Sequence, residues 1–193
     1  MPLEQTACRS RFYVKAVQAC NLFVPLLTGG RSVEINMATF ITESFLKKIA
    51  KEGRILDGLQ VLDSLNDDGK AALPSLPNLP SWECVLEEVI DTDHEPEYYA
   101  RFANELLKRG YSRDDISKMR LIAWETAGWF NFEMMAWDWC HLSESDMFLG
   151  LKNRLKTGNI DRNRYKKLKA EIKRYRKPPN QANSADAKSR AAD

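Results

Sequence analysis

"GWFNFEMMAWDWCH", residues 128–141, holds three tryptophans, two phenylalanines and two methionines in fourteen positions. Four of the chain's five tryptophans fall between Trp124 and Trp139. Laid on a helix, this stretch and the residues before it carry two apolar stripes. Leu121, Trp124, Gly128, Phe132, Met135 and Trp139 recur at three and four residues on one side. Ala127, Phe130, Met134 and Trp137 recur the same way on the other, with Arg120, Thr126, Asn131, Glu133 and Asp138 in the seams. A surface helix carries one apolar stripe, whereas one that is apolar on two sides packs against neighbours on both. The spacing therefore predicts the central helix of an all-α body, each buried aromatic removing about 150–250 Å² from water. The alternative keeps one stripe in the core and leaves Phe130, Met134 and Trp137 on an open partner-docking face, since Trp and Met are favoured at interface hot spots and adaptable surfaces. No convergent set of polar residues accompanies the rings, so no cofactor is expected.

Working outward, the punctuation is helical. An amphipathic helix begins at Met37, with Phe40, Ile41, Phe45 and Ile49 at helical spacing and Gly53 as its stop. Ile55, Leu59 and Leu62 continue on a second, closed by the turn cluster "NDDG" (66–69). "ALPSLPNLPS" (72–81) has a proline every third residue and predicts an extended, polyproline-like spacer. Ser81 is placed as the cap of "WECVLEEVI", Pro96 in the first turn of the next helix, and Gly110 at its end. Ser112 with Asp115 forms a capping arrangement for the tryptophan helix. Ser143 caps another helix that Gly158 ends, and Asp161 opens the last, stopped by Pro178-Pro179. The expected architecture is a compact all-α bundle of six or seven helices, with a central aromatic-rich helix and a basic C-terminal helix. Four stretches follow: an N-terminal extension over 1–36, a helical body over 37–158, a basic amphipathic helix over 159–177, and a disordered tail over 178–193.

Residues 1–36 lack a clear period. Val33-Glu34 can be encoded GUG-GAG, which would set a ribosome-binding sequence just upstream of Met37. Translation starting at Met37 and a loose extension or hairpin around Gly29-Gly30 are equal expectations. "AVQACNLFVPLL" (16–27) lacks a small-x-small cleavage site and is broken by Pro25, against an exported chain. No apolar run reaches the ~20 residues a membrane span needs. Cys8, Cys20, Cys84 and Cys140 share no C-x-x-C spacing and read as reduced thiols of a cytoplasmic protein.

Little chemistry is written in motifs. "DTDHEPE" (91–97) gathers carboxylates around His94, but acids before a helix are favoured by its dipole without a metal. Cys140-His141 supply too few ligands for zinc. "DSLNDDG" (63–69) lacks the glutamate that closes a calcium loop. Glu87-Glu88 read as solvated surface. No nucleophile elbow, P-loop or dinucleotide fingerprint is present, so the chain is read as non-enzymatic. The "RGYS" hairpin before the tryptophan helix has helix-turn-helix proportions, but only Arg113, Lys118 and Arg120 supply cations, and it is read as structural.

Charge is the stronger signal. Residues 1–150 hold 15 Lys and Arg against 23 Asp and Glu, a net −8, while residues 151–177 hold 12 against 2, a net +10. In "RNRYKKLKAEIKRYRK" (162–177), Tyr165, Leu168, Ile172 and Tyr175 form an apolar stripe. The other face carries Arg162, Arg164, Lys166, Lys167, Lys169, Lys173, Arg174, Arg176 and Lys177. Such a helix suits nucleic-acid phosphates, an acidic protein surface (its own body included) or, with a thin apolar side, an anionic membrane. The expectation is a small regulator of bacterial, phage or plasmid type, holding nucleic acid by this helix and a protein partner by its body. The alternative is a protein–protein adaptor or inhibitor with no nucleic-acid contact.

Overall fold

The computed structural model describes residues 42–90, 94–133 and 141–180. The expected helix start at Met37, the extension before it, Met134, Met135, Trp137, Asp138, Trp139, Cys140 and the tail from residue 181 lie outside the described residues. Within them the chain is an all-α bundle, as the periodicity predicts, with no strand. The helices are α1 (Glu43–Ile49), α2 (Arg54–Ser64), α3 (Asp67–Ala72), α4 (Ser81–Leu86) and α5 (Pro96–Lys108). A long rod follows: α6 (Arg113–Ala123), a π-helical turn (Trp124–Gly128) and α7 (Trp129–Glu133). Then come α8 (Glu144–Lys156) and α9 (Arg162–Arg174).

The caps are mostly those the sequence announces. Ser112 Oγ accepts from Asp115 N at 3.1 Å while Asp115 Oδ2 accepts from Ser112 N, a reciprocal capping box. Asp146 likewise accepts from Ser143 N at 2.8 Å. Asp161 Oδ1 accepts from Arg164 N at 2.6 Å, and Gly110 and Gly158 carry the positive φ that ends α5 and α8. Two assignments change. "NDDG" is a helix start and not only a turn: Asn66 Oδ1 accepts from Gly69 N at 2.8 Å and opens α3. Ser81 is the first residue of α4 and Pro80 stands at the cap; the Ser81 hydroxyl accepts instead from Arg109 Nη1 at 3.1 Å.

The proline connector is extended at both ends but turns in its middle, with Leu79 N donating to Leu76 O at 3.1 Å. Leu73, Leu76 and Leu79 lean on the body while Pro74, Pro77 and Pro80 face water. Side chains from the end of α5 hold it there. Glu105 accepts from Leu76 N at 3.2 Å, and Arg109 donates to Leu76 O at 2.7 Å. Helix α2 crosses α5 so closely that a Cβ on Gly58 would lie 2.6 Å from the Tyr99 carbonyl carbon. Only glycine fits there.

The second half of the rod is buried. Every residue from Ile122 to Asn131 is buried, and so is Arg120; Arg120, Thr126 and Asn131 are polar residues of the seams between the two stripes. Polar contacts gather at the π-turn. Thr126 Oγ1 donates to Ile122 O at 2.6 Å, occupying a carbonyl that the α-helical ladder would use. Arg154 from α8 donates to Glu125 O at 2.7 Å. Gly150 lets α8 lie against the turn, because a Cβ there would sit 2.2 Å from Thr126 O. Trp124 and Phe132 stack across Gly128, ring centres 5.5 Å apart and 18° from parallel, so that part of the first stripe stays together through the turn.

Candidate nucleic-acid interface

Helix α9 is joined to the body along one face and at its C-terminal end. Leu168, Ile172 and Tyr175 are buried and Tyr165 is half-buried, so the apolar stripe is occupied by the bundle. A helix leaves its last four carbonyls without internal partners. Here two of them are met by buried donors from the body. Trp82 Nε1 donates to Ile172 O at 3.0 Å, and Tyr111 Oη donates to Tyr175 O at 2.7 Å. The Tyr175 hydroxyl donates to Asp115 Oδ1 at 3.2 Å. Burial raises the Tyr111 and Tyr175 hydroxyls above the usual phenol range, and the Asp115 charge adds to both. The Ser112 hydroxyl is the main reason Asp115 titrates below an ordinary aspartate. Beyond the helix Pro178 is buried and Asn180 Nδ2 donates to Lys108 O at 3.0 Å, so the chain stays on the body through residue 180.

The nine cations of this segment divide by what they face. Arg164 Nη2 holds both carboxylate oxygens of Glu125, at 2.7 Å to Oε2. Arg176 Nε holds Glu144 at 2.9 and 3.1 Å. Arg174 lies 3.6 Å from Glu171 and over the Tyr175 ring, and Lys169 lies over the Tyr165 ring at 5.8 Å. Arg162, Lys166, Lys167, Lys173 and Lys177 are exposed, and no ion pair joins them among the described residues. On α9 Arg162, Lys166, Lys169 and Lys173 step by 4, 3 and 4, which sets them in one ridge along the helix. From the first to the last of these the helix rises about 16 Å, at about 1.5 Å per residue. About five phosphates of one duplex strand pass in that length, at about 3.4 Å per phosphate.

Other residues singled out in the sequence are placed differently. Phe130, on an open face only in the alternative reading, is 8% exposed and is packed against α8 near Gly150. Leu149 is the exposed large hydrophobic residue among those described, so no broad apolar docking face appears there. Of the hairpin's cations, Arg113 pairs with Asp63 and Arg120 is fully buried, which leaves little on α6 for a groove. His94 stacks on Tyr98, ring centres 3.9 Å apart, and His141 lies 3.6 Å from Glu83. Among the described residues no group of three His, Cys, Asp or Glu side chains stands together as a metal would require. No described helix is long and apolar enough to cross a membrane. Cys84 is buried, and burial pushes its thiol up to about 12.

Glu88 corrects the surface assignment most sharply. It is 2% exposed and accepts from Arg120 Nη2 at 2.6 Å, Trp124 Nε1 at 3.0 Å and Ile55 N at 3.0 Å. Arg120 in turn donates to Ile49 O and Glu52 O. Its neighbour Glu87 is half-buried and accepts from the Tyr98 hydroxyl at 2.9 Å. A glutamate pair near a helix end gives no sign in sequence of which member turns inward. The partner that draws Glu88 in, Arg120, is distant along the chain.

Comparison of the chain with protein-family models, with curated proteins and with solved structures returned no match.

Proposed function

We propose that α9 binds the phosphate backbone of a nucleic acid, without regard to base sequence, in a non-enzymatic regulatory protein. The supporting observation is the division of the helix: its apolar stripe is buried in the bundle while Arg162, Lys166 and Lys173 of the ridge are exposed and Lys169 between them is half-buried. This weighs against the membrane alternative, since an interfacial helix must insert the apolar face that α9 has already buried. It also limits the alternative in which the basic helix serves only to grip its own acidic body. That grip is visible in Arg164–Glu125 and Arg176–Glu144, but it leaves the ridge unneutralised. Lysine is a compact charge on a flexible stem and suits phosphates better than bidentate recognition of base edges. A contact of the body with a protein partner remains part of this proposal as the second function of a regulator.

The test is salt dependence. Affinity for a mixed-sequence DNA duplex is expected to be micromolar or weaker. The log–log slope against salt is about −0.9 per phosphate neutralised on duplex DNA. Changing Lys166, Lys167, Lys169, Lys173 and Arg174 together to Gln is expected to flatten that slope by about three to four units, with the melting curve little changed. Binding that ignores salt or these changes would leave the adaptor alternative in its place.

A further inference from the structure

The two arginines that α9 and its end give to the body make the same kind of bond in opposite surroundings. The Glu125 side chain is 10% exposed and lies on the π-turn in the core, paired with Arg164. The Glu144 side chain is 24% exposed and its partner Arg176 54% exposed. They form one wall of an open cleft of about 240 Å³ against Pro77, Pro80 and Pro178, so solvent and anions reach the pair. Removing Arg164 from Glu125 would strand a carboxylate in the core, which is strongly unfavourable. Removing Arg176 from Glu144 leaves a carboxylate in contact with water at the first residue of α8, where the helix dipole favours it. Exposed pairs of this kind are weak.

We propose that Glu144 is an intramolecular competitor for Arg176, which leaves it to join the phosphate contacts of α9, whereas Arg164 stays on Glu125 and takes no part. This rests on the phosphate-binding proposal above. It adds a residue that limits affinity and removes one from the contacting set. The carboxylate holds Arg176 in the free protein, and a phosphate group, which also offers two oxygens to a guanidinium, replaces it in the complex.

A double-mutant cycle on the full chain tests it, using a fluorescent mixed-sequence DNA duplex titrated at several salt concentrations. Glu144→Gln is expected to tighten binding about two- to five-fold, the range that opening an exposed pair allows. That gain is expected to vanish in the Arg176→Gln background, and Arg176→Gln alone to flatten the salt slope by about one unit. Arg164→Gln is expected to leave the slope unchanged in chains that remain folded by circular dichroism. A gain from Glu144→Gln that persists without Arg176 would show general repulsion of the phosphate and overturn the competitor. So would no gain at all beside clear binding by the wild-type chain. A wild-type chain that fails to bind the duplex would instead overturn the phosphate-binding proposal itself.

Discussion

Arg120→Ala is expected to destabilise the protein by about 3–5 kcal/mol, because it leaves the Glu88 carboxylate buried without its charge partner. Arg120 is 0% exposed and Glu88 2%, and the carboxylate has no route to water that would soften the loss. The damage spreads because the pair ties four parts of the chain. Arg120 reaches the end of α1 through Ile49 O, and Glu88 holds the first turn of α2 through Ile55 N and the π-turn through Trp124 Nε1. Urea denaturation of the two proteins measures the difference. Replacing both partners by apolar side chains, Arg120→Met with Glu88→Leu, is expected to recover part of the loss, since a buried pair is worth little beyond a well-packed apolar substitute. A single Arg120→Ala change costing under about 1 kcal/mol, the usual limit for an exposed pair, would mean that the pair is solvated in solution.

The second large effect concerns the basic helix. Ending the chain at Gly158 is expected to abolish cooperative unfolding altogether. Leu168, Ile172 and Tyr175 leave the core, and burial of each such side chain contributes about 1.5–3 kcal/mol. Their departure also strips the acceptors from two buried donors, Trp82 Nε1 and Tyr111 Oη. Losses of that size approach the whole stability of an ordinary domain, about 5–15 kcal/mol. Thermal melting by circular dichroism and limited proteolysis check it. A truncated chain that melts cooperatively near the full-length temperature would make α9 an appendage.

These two cases mark where the sequence was legible. The all-α class, the capping boxes at Ser112 and Ser143, the stops at Gly110 and Gly158, and the start at Asp161 rest on local chemistry that a few neighbouring residues specify. Of the two stripes of the tryptophan segment, Trp124, Ala127, Gly128 and Phe130 are buried, while Met134, Met135, Trp137 and Trp139 lie outside the described residues. The burial of the polar residues between them was not legible, for a definite reason. Periodicity assigns a side chain to a face, and says nothing of a partner many residues away that makes its burial tolerable. Arg120 is buried because Glu88 meets it, and Thr126 because its hydroxyl bonds back to Ile122 O. The same limit applies to α9. Its cationic face is plain in the sequence, but which arginines the body neutralises depends on Glu125 and Glu144, brought close only by the fold.

Helix α9 is proposed to turn a cationic ridge toward phosphates while its other side packs in the bundle. Lysine acetylation, read residue by residue by mass spectrometry with and without a DNA duplex at low salt, tests it most directly. Lys166, Lys169 and Lys173 are expected to be protected, with the protection relieved by added salt, and Lys47, Lys48 and Lys51 on and just beyond α1 are expected to stay reactive. Equal reactivity of the α9 lysines with and without duplex, or protection centred on α1, would contradict it.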